Sequence, residues 1–107
     1  TLPSCNLVLL GRGRHPTPRG LTRVAELLER GVTVAAASDN VQDPFNPLGH
    51  YDPLFIANLS AHAAHLTGEA ALEVCLGMVT SSAAEILGLP SYGVREGADA
   101  DLVVLAT

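Results

Sequence analysis

The stretch from Leu21 to Asn40 constrains the fold more tightly than any other part of this chain. Leu21 to Arg30 places Val24, Leu27 and Leu28 at i, i+3, i+4, the apolar stripe of an amphipathic helix. Thr22 can cap its start, Glu26 and Arg30 are spaced for an i,i+4 pair, and Gly31 can close its end. Val32-Thr33-Val34-Ala35-Ala36-Ala37 follows at once, with Ser38-Asp39-Asn40 behind it. A short, apolar, partly β-branched run directly after a helix has the pattern of a parallel strand buried on both faces. Residues 5–10, Cys-Asn-Leu-Val-Leu-Leu, read as an earlier buried strand. The order strand, loop, helix, strand then implies a right-handed βαβ crossover and an α/β fold.

The remainder is mostly helical by pattern. Gly11 to Pro18 mixes Gly, Arg and Pro and reads as an irregular loop, as does the stretch from Val41 to Tyr51 with Asp43-Pro44, Asn46-Pro47 and Gly49. Asp52-Pro53 is a natural N-cap and first helical residue. The helix it starts is expected to present Phe55, Leu59, His62 and Leu66 on one face before Gly68. Glu69 to Val79 reads as a second helix with Leu72, Cys75, Leu76 and Val79 inward. Ser82 and Glu85 are spaced as a capping box for a short helix ending at Gly88. Asp101 to Leu105 reads as a strand, preceded by a turn-rich stretch. A lone terminal strand implies that its pairing partners lie elsewhere.

Composition excludes several functions. A chain of 107 residues with 4% aromatics and no tryptophan builds its core from Ala, Val and Leu, which suits thin α/β layers. The formal net charge is -5, and Arg12, Arg14 and Arg19 are separated by Gly and Pro. Backbone binding to nucleic acid needs many coordinated cationic contacts, so no nucleic-acid partner is expected. No apolar run approaches the roughly 20 residues needed to cross a bilayer, so no membrane partner is expected either. Cys5 and Cys75 are far apart and neither belongs to a C-x-x-C pair, which fits a reducing, cytoplasmic setting. The opening Thr1-Leu2-Pro3-Ser4 carries no initiator methionine, as expected of an internal start.

Ser38-Asp39-Asn40 holds the main chemical interest. Side chains at the C-terminal ends of parallel strands line the active sites of α/β folds, above all of (β/α)8 barrels. A carboxylate there can bind a divalent metal or take a proton from water, and equally Ser, Asp and Asn can simply build a turn. His62 and His65 lie three apart on a helix, with no Cys or carboxylate beside them to complete a metal site. His15 and His50 lie in loops, and His50 can line the same pocket as Asp39. Gly11-Arg12-Gly13 lacks the further glycine and the Lys-Ser/Thr ending of a phosphate loop. There is no Gly-x-Ser-x-Gly elbow, and neither cysteine has a histidine beside it in a recognisable motif.

Three segments, in order and together spanning essentially the whole chain, resemble the amidohydrolase superfamily. Gly20 to Gly31 looks like its seventh barrel helix. Val34 to Asn40, followed by Asp43-Pro44-Phe45-Asn46-Pro47-Leu48-Gly49, resembles the eighth strand and the following loop of cytosine deaminases. Thr80 to Leu89, with Gly93 and Gly97 to Leu105, resembles the superfamily's usual ending. The resemblance implies the C-terminal part of a (β/α)8 TIM barrel over residues 1–89, its last βα units, and over residues 90–107 the return strand of a small β-sandwich domain. It implies a metal-dependent enzyme that deaminates a small, cytosine-like nitrogen heterocycle by attack of a metal-held hydroxide. Asp39 is then the metal ligand and proton shuttle, and Asn40 and Phe45 contact substrate. Phe45 stands where the bacterial enzyme has Trp, and Asn40 where it has a second aspartate, which implies an altered pocket.

The family's remaining histidines and its strand-five acid have no counterpart among these residues. The implied cofactor is one divalent ion, iron or zinc, with its other ligands outside this chain, and the isolated stretch is expected to be inactive. The full-length protein is expected to be a homo-oligomer acting on a small molecule. A cyclic-amide or N-alkyl amidohydrolase, of hydantoinase or triazine type, and a non-catalytic α/β module are the alternatives.

Overall fold

Two prolines mark the starts of helices in the computed structural model, which describes residues 1–106. Pro3 opens α1 (Pro3–Leu9) and Pro53 opens the longest helix, α3 (Pro53–Ala63), each where the missing N–H leaves no helical hydrogen bond unmade. Between them lies α2 (Val24–Glu29), and beyond them α4 (Glu69–Met78) and α5 (Ser81–Ile86). Asp52 caps α3 as its sequence suggests, its side chain accepting from Leu54 N at 2.9 Å. Helix α3 packs on α1 and α4, and α4 on α5. The core gathers Val24, Val34, Ala36, Ile56 and Met78, with Leu27, Leu28, Ala64, Leu66 and Val79 around it.

The expected strands are not formed: among the described residues there is no β-ladder. Residues 5–10, read as a strand, belong mostly to α1. A short apolar run does not distinguish strand from helix by period, and here the proline at the first turn and three leucines favour the helix. Residues 32–37 are the opposite case. They have no ladder, but Thr1 N donates to Ala35 O at 2.6 Å and Ala37 N donates to Thr1 O at 3.0 Å. That pair of bonds is the signature of one parallel bridge centred on Ala36. From the opposite edge, Ala36 N donates to Met78 O at 2.9 Å. Residues 101–105 also form no strand and are exposed, Val104 to 95%. Thr107, the end of the expected return segment, lies outside the described residues.

Smaller expectations shift in the same way. Arg23, not Thr22, is the residue before α2, and its guanidinium pairs with Glu26 at 2.7 Å in place of the expected Glu26–Arg30 pair. The buried face of α3 is Ile56, Ala57, Ser60 and Ala61 rather than the Phe55–Leu59–His62 stripe. Ile56 enters the core with Ala57, Ser60 and Ala61 packed beside it, and Phe55 is left exposed. On α4, Cys75 is buried as expected, with Met78, while Leu72 and Leu76 are exposed. No side chain caps α5; Thr80 precedes it and donates instead to Leu76 O at 2.8 Å.

Candidate active site

Asp39 stands at the end of the extended segment 32–37, exposed, with φ +60°. The left-handed region costs most L-residues about 1–2 kcal/mol, and Asp and Asn tolerate it better than others. The conformation turns the chain out of the segment and into the loop over residues 40–49.

That loop is folded around Asp43. Its Oδ1 accepts from Phe45 N at 3.0 Å and Asn46 N at 2.8 Å, and its Oδ2 accepts from Asn40 Nδ2 at 2.6 Å. These donors, the Asn46 backbone first, hold the Asp43 carboxyl below the usual aspartate range against a smaller opposing effect of burial. Asn46 is fully buried and closes the ring, its Nδ2 donating to Asn40 O at 3.1 Å. Gly49 passes so close to Asn40 and Val41 that a methyl group there would strike their backbone. The loop is therefore a locally determined structure.

Helix α1 braces the other side. Ser4 Oγ donates to Ser38 O at 3.2 Å, and Cys5 Sγ donates to Asn40 Oδ1 at 3.5 Å. Burial pushes the Cys5 thiol up, and the nearby Asp39 carboxylate adds to the rise; the Asn40 backbone opposes it in part. Asn40 is thus held by Asp43 and Cys5, which leaves one amide hydrogen and one carbonyl lone pair free. The Phe45 side chain is 61% exposed while its backbone is tied to Asp43.

An open cleft of about 230 Å³ lies beside this corner, lined in part by Ala37, Ser38, His50, Asp52 and Ile56. His50 lines it and packs against Phe55 at 5.2 Å between ring centres. Asp39, Asn40 and Phe45 are not among its lining residues, so the cleft does not unite His50 with Asp39. His62 and His65 are exposed, and the His62 ring Nδ1 engages Asn58 O at 2.9 Å. Among the described residues no three of His, Cys, Asp and Glu lie together as a metal site. A catalytic metal normally takes about three protein ligands, so these residues fit one only as donors of a single carboxylate. Sequence reasoning missed Ser4, Cys5, Asp43 and Asn46 as parts of this corner. The Asp-x-x-Asn spacing of 43 and 46, next to prolines, was the available signal of a loop folded on an aspartate.

A family model described as the amidohydrolase family matches residues 4–107. The chain belongs to the amidohydrolase family. A pterin deaminase of Rhizobium rhizogenes is 41% identical over 108 residues, which cover 98% of this chain and 24% of that protein. The N-isopropylammelide isopropyl amidohydrolase of a Pseudomonas species is 37% identical over 83 residues, 77% of this chain and 21% of its own. The crystal structure of 5-methylcytosine deaminase from Klebsiella pneumoniae, liganded with 5-fluorocytosine, superposes with a TM-score of 0.81 at 40% identity, over 92% of this chain and 24% of that one. This amidohydrolase chain thus spans about a quarter of the length of these relatives and is a fragment of a TIM-barrel-type fold. No described helix is long and apolar enough to cross a membrane.

Proposed function

We propose that these residues form part of a metal-dependent amidohydrolase that hydrolytically deaminates a small nitrogen heterocycle, with Asp39 as metal ligand and proton shuttle. The observation that carries the reading is the placing of Asp39: an exposed carboxylate at the end of the 32–37 segment, in a left-handed conformation fixed by a hydrogen-bonded loop. A rim residue of a barrel is expected to be exposed when most of the barrel is absent, and this chain covers about a quarter of its relatives. Similarity to a pterin deaminase and a 5-methylcytosine deaminase supports a ring amine as the leaving group.

A divalent iron or zinc ion, held by Asp39 and by ligands outside this chain, would acidify a water and polarise the ring. Asp39 takes one proton of the water as the C–O bond forms and gives it to the exocyclic nitrogen as the C–N bond breaks, so the amine leaves as ammonia. The oxygen's remaining proton passes to the ring nitrogen, and the ring carbon becomes a carbonyl. Asn40, with one amide hydrogen and one lone pair uncommitted, and Phe45, with its ring exposed, contact the heterocycle. Residues 1–89 belong to the barrel. Residues 90–107 return to a small β domain, a reading supported by the exposure of Leu102, Val103 and Val104, apolar side chains that call for cover. The two free, buried cysteines fit a reducing, cytoplasmic setting.

A second reading is hydrolysis of an N-alkyl group, supported by the 37% identity to the isopropylammelide enzyme. The test uses the full-length protein and its Asp39→Ala variant. Metal content is measured together with ammonia release from cytosine, 5-methylcytosine and pterin, and isopropylamine release from N-isopropylammelide. Ammonia release that disappears with the carboxylate supports deamination, and isopropylamine alone supports the second reading. Undiminished metal and undiminished turnover in the variant would eliminate the role of Asp39.

A further inference from the structure

The first five residues run beside residues 35–40 and bond to them in step. Thr1 engages Ala35 and Ala37 through its backbone, Ser4 Oγ donates to Ser38 O, and Cys5 Sγ donates to Asn40 Oδ1. The last two contacts fall on the residues immediately before and after Asp39. Ser4 and Cys5 are buried, at 7% and 3% exposure, in the first turn of α1, while Asp39 between their partners is exposed. A non-glycine residue in the left-handed region persists only where its surroundings over-determine it. On one side the Asp43 ring supplies that constraint. On the α1 side it comes from these two side chains, with the Thr1 backbone bonded to Ala37 just upstream.

We propose that Ser4 and Cys5 are positioning residues that grip the chain on either side of Asp39 and aim its carboxylate at the reacting ring. The inference rests on the catalytic reading of Asp39. Neither side chain touches substrate. Each acts through its neighbour, Ser4 by fixing the Ser38 carbonyl and Cys5 by fixing the Asn40 amide, which Asp43 holds from the far side. A displacement of about 1 Å in a catalytic group can lower turnover by about a hundredfold.

The experiment compares Ser4→Ala, Cys5→Ala, Cys5→Ser and Asp39→Ala in the full-length protein, on whichever of cytosine, 5-methylcytosine or pterin it deaminates. Ser4→Ala is expected to lose about ten- to a hundredfold in kcat with KM within about twofold. Cys5→Ala is expected to lose a similar factor in kcat with a raised KM, because it also frees the Asn40 amide that contacts the ring. Cys5→Ser retains a donor for Asn40 Oδ1 and is expected to recover most of kcat, although its hydroxyl in a thiol's buried place leaves it no more stable than the alanine variant. That crossing of activity and stability separates positioning from packing. If Asp39→Ala is inactive while Ser4→Ala and Cys5→Ala turn over at the wild-type kcat, this inference alone falls. It also falls if Cys5→Ser is as slow as Cys5→Ala and the losses of kcat follow the losses of Tm. Full activity in Asp39→Ala overturns both the catalytic reading and this one.

Discussion

Replacing Gly49 with alanine tests how rigidly the corner around Asp39 is built. The added methyl carbon would press on the Asn40 carbonyl oxygen and lie 2.7 Å from Val41 Cα and 3.2 Å from Asn46 Nδ2. Two of these three neighbours are backbone atoms, which cannot swing aside as a flexible side chain does. Gly49 has no positive φ, so the cost is steric rather than conformational. Over-packing of this kind costs about 1–3 kcal/mol. If the loop opens enough to break the Asn46–Asn40 hydrogen bond, about 1 kcal/mol more is lost. We expect Gly49→Ala to destabilise the full-length protein by about 2–4 kcal/mol in urea, followed by circular dichroism, and to lower kcat by at least about tenfold. Gly31→Ala is the control: its φ is +73° with open space around it, so it is expected to cost only the roughly 1 kcal/mol of backbone strain and to leave kcat alone. A Gly49→Ala protein within about 0.5 kcal/mol of wild type and fully active would refute the claim that this loop fixes Asn40 and, through it, Asp39.

Two further expectations concern the loop and the core. Because its native hydrogen bonds lower the Asp43 pKa, the stability Asp43 contributes is fully present above the ordinary aspartate pKa of about 3.9 and is lost as pH falls through the lower native value. Urea titrations of wild type and Asp43→Asn from pH 7 to pH 3 should therefore show a gap that narrows only in the acid range; a gap that stays constant with pH would contradict the sign of the shift. Ile56 is 2% exposed in the central cluster, and Ile56→Ala is expected to cost about 2–5 kcal/mol in the same assay, whereas a loss below about 1 kcal/mol would mean that this site collapses without a cavity.

What could be seen in the sequence was what local chemistry decides. Asp52 caps α3 because an aspartate before Pro53 can reach Leu54 N without help from any other part of the chain. Gly31 and Gly88 stand at helix ends with positive φ for the same reason. The exit at Asp39 was visible as a polar triplet behind an apolar run, and the structure places a sharp turn there. What depends on neighbours was hidden. An apolar run such as Val32 to Ala37 becomes a ladder only when strands flank it; here one residue, Thr1, makes a single bridge. Residues 5–10 carry an apolar pattern that suits either a helix or a strand; Pro3 at the first turn favours the helix, which then packs against α3. On α3 two stripes are apolar enough to be buried, and only packing selects the one that carries Ile56, Ala57, Ser60 and Ala61. The partners of Ser38 and Asn40 across the corner, Ser4 and Cys5, lie more than thirty positions away in sequence, beyond the reach of any local pattern.

The frame and the face of this loop are held by different atoms. Asp43 grips position 45 through the main-chain N–H, which every amino acid but proline supplies, and the ring attached to it takes no part in that grip. A side chain can therefore be exchanged at 45 without loosening the mount that carries Asn40. On the proposed reading of Asp39 and Phe45, variation at 45 would retune which heterocycle is accepted while the carboxylate stays in register, which makes position 45 the natural place to begin altering selectivity.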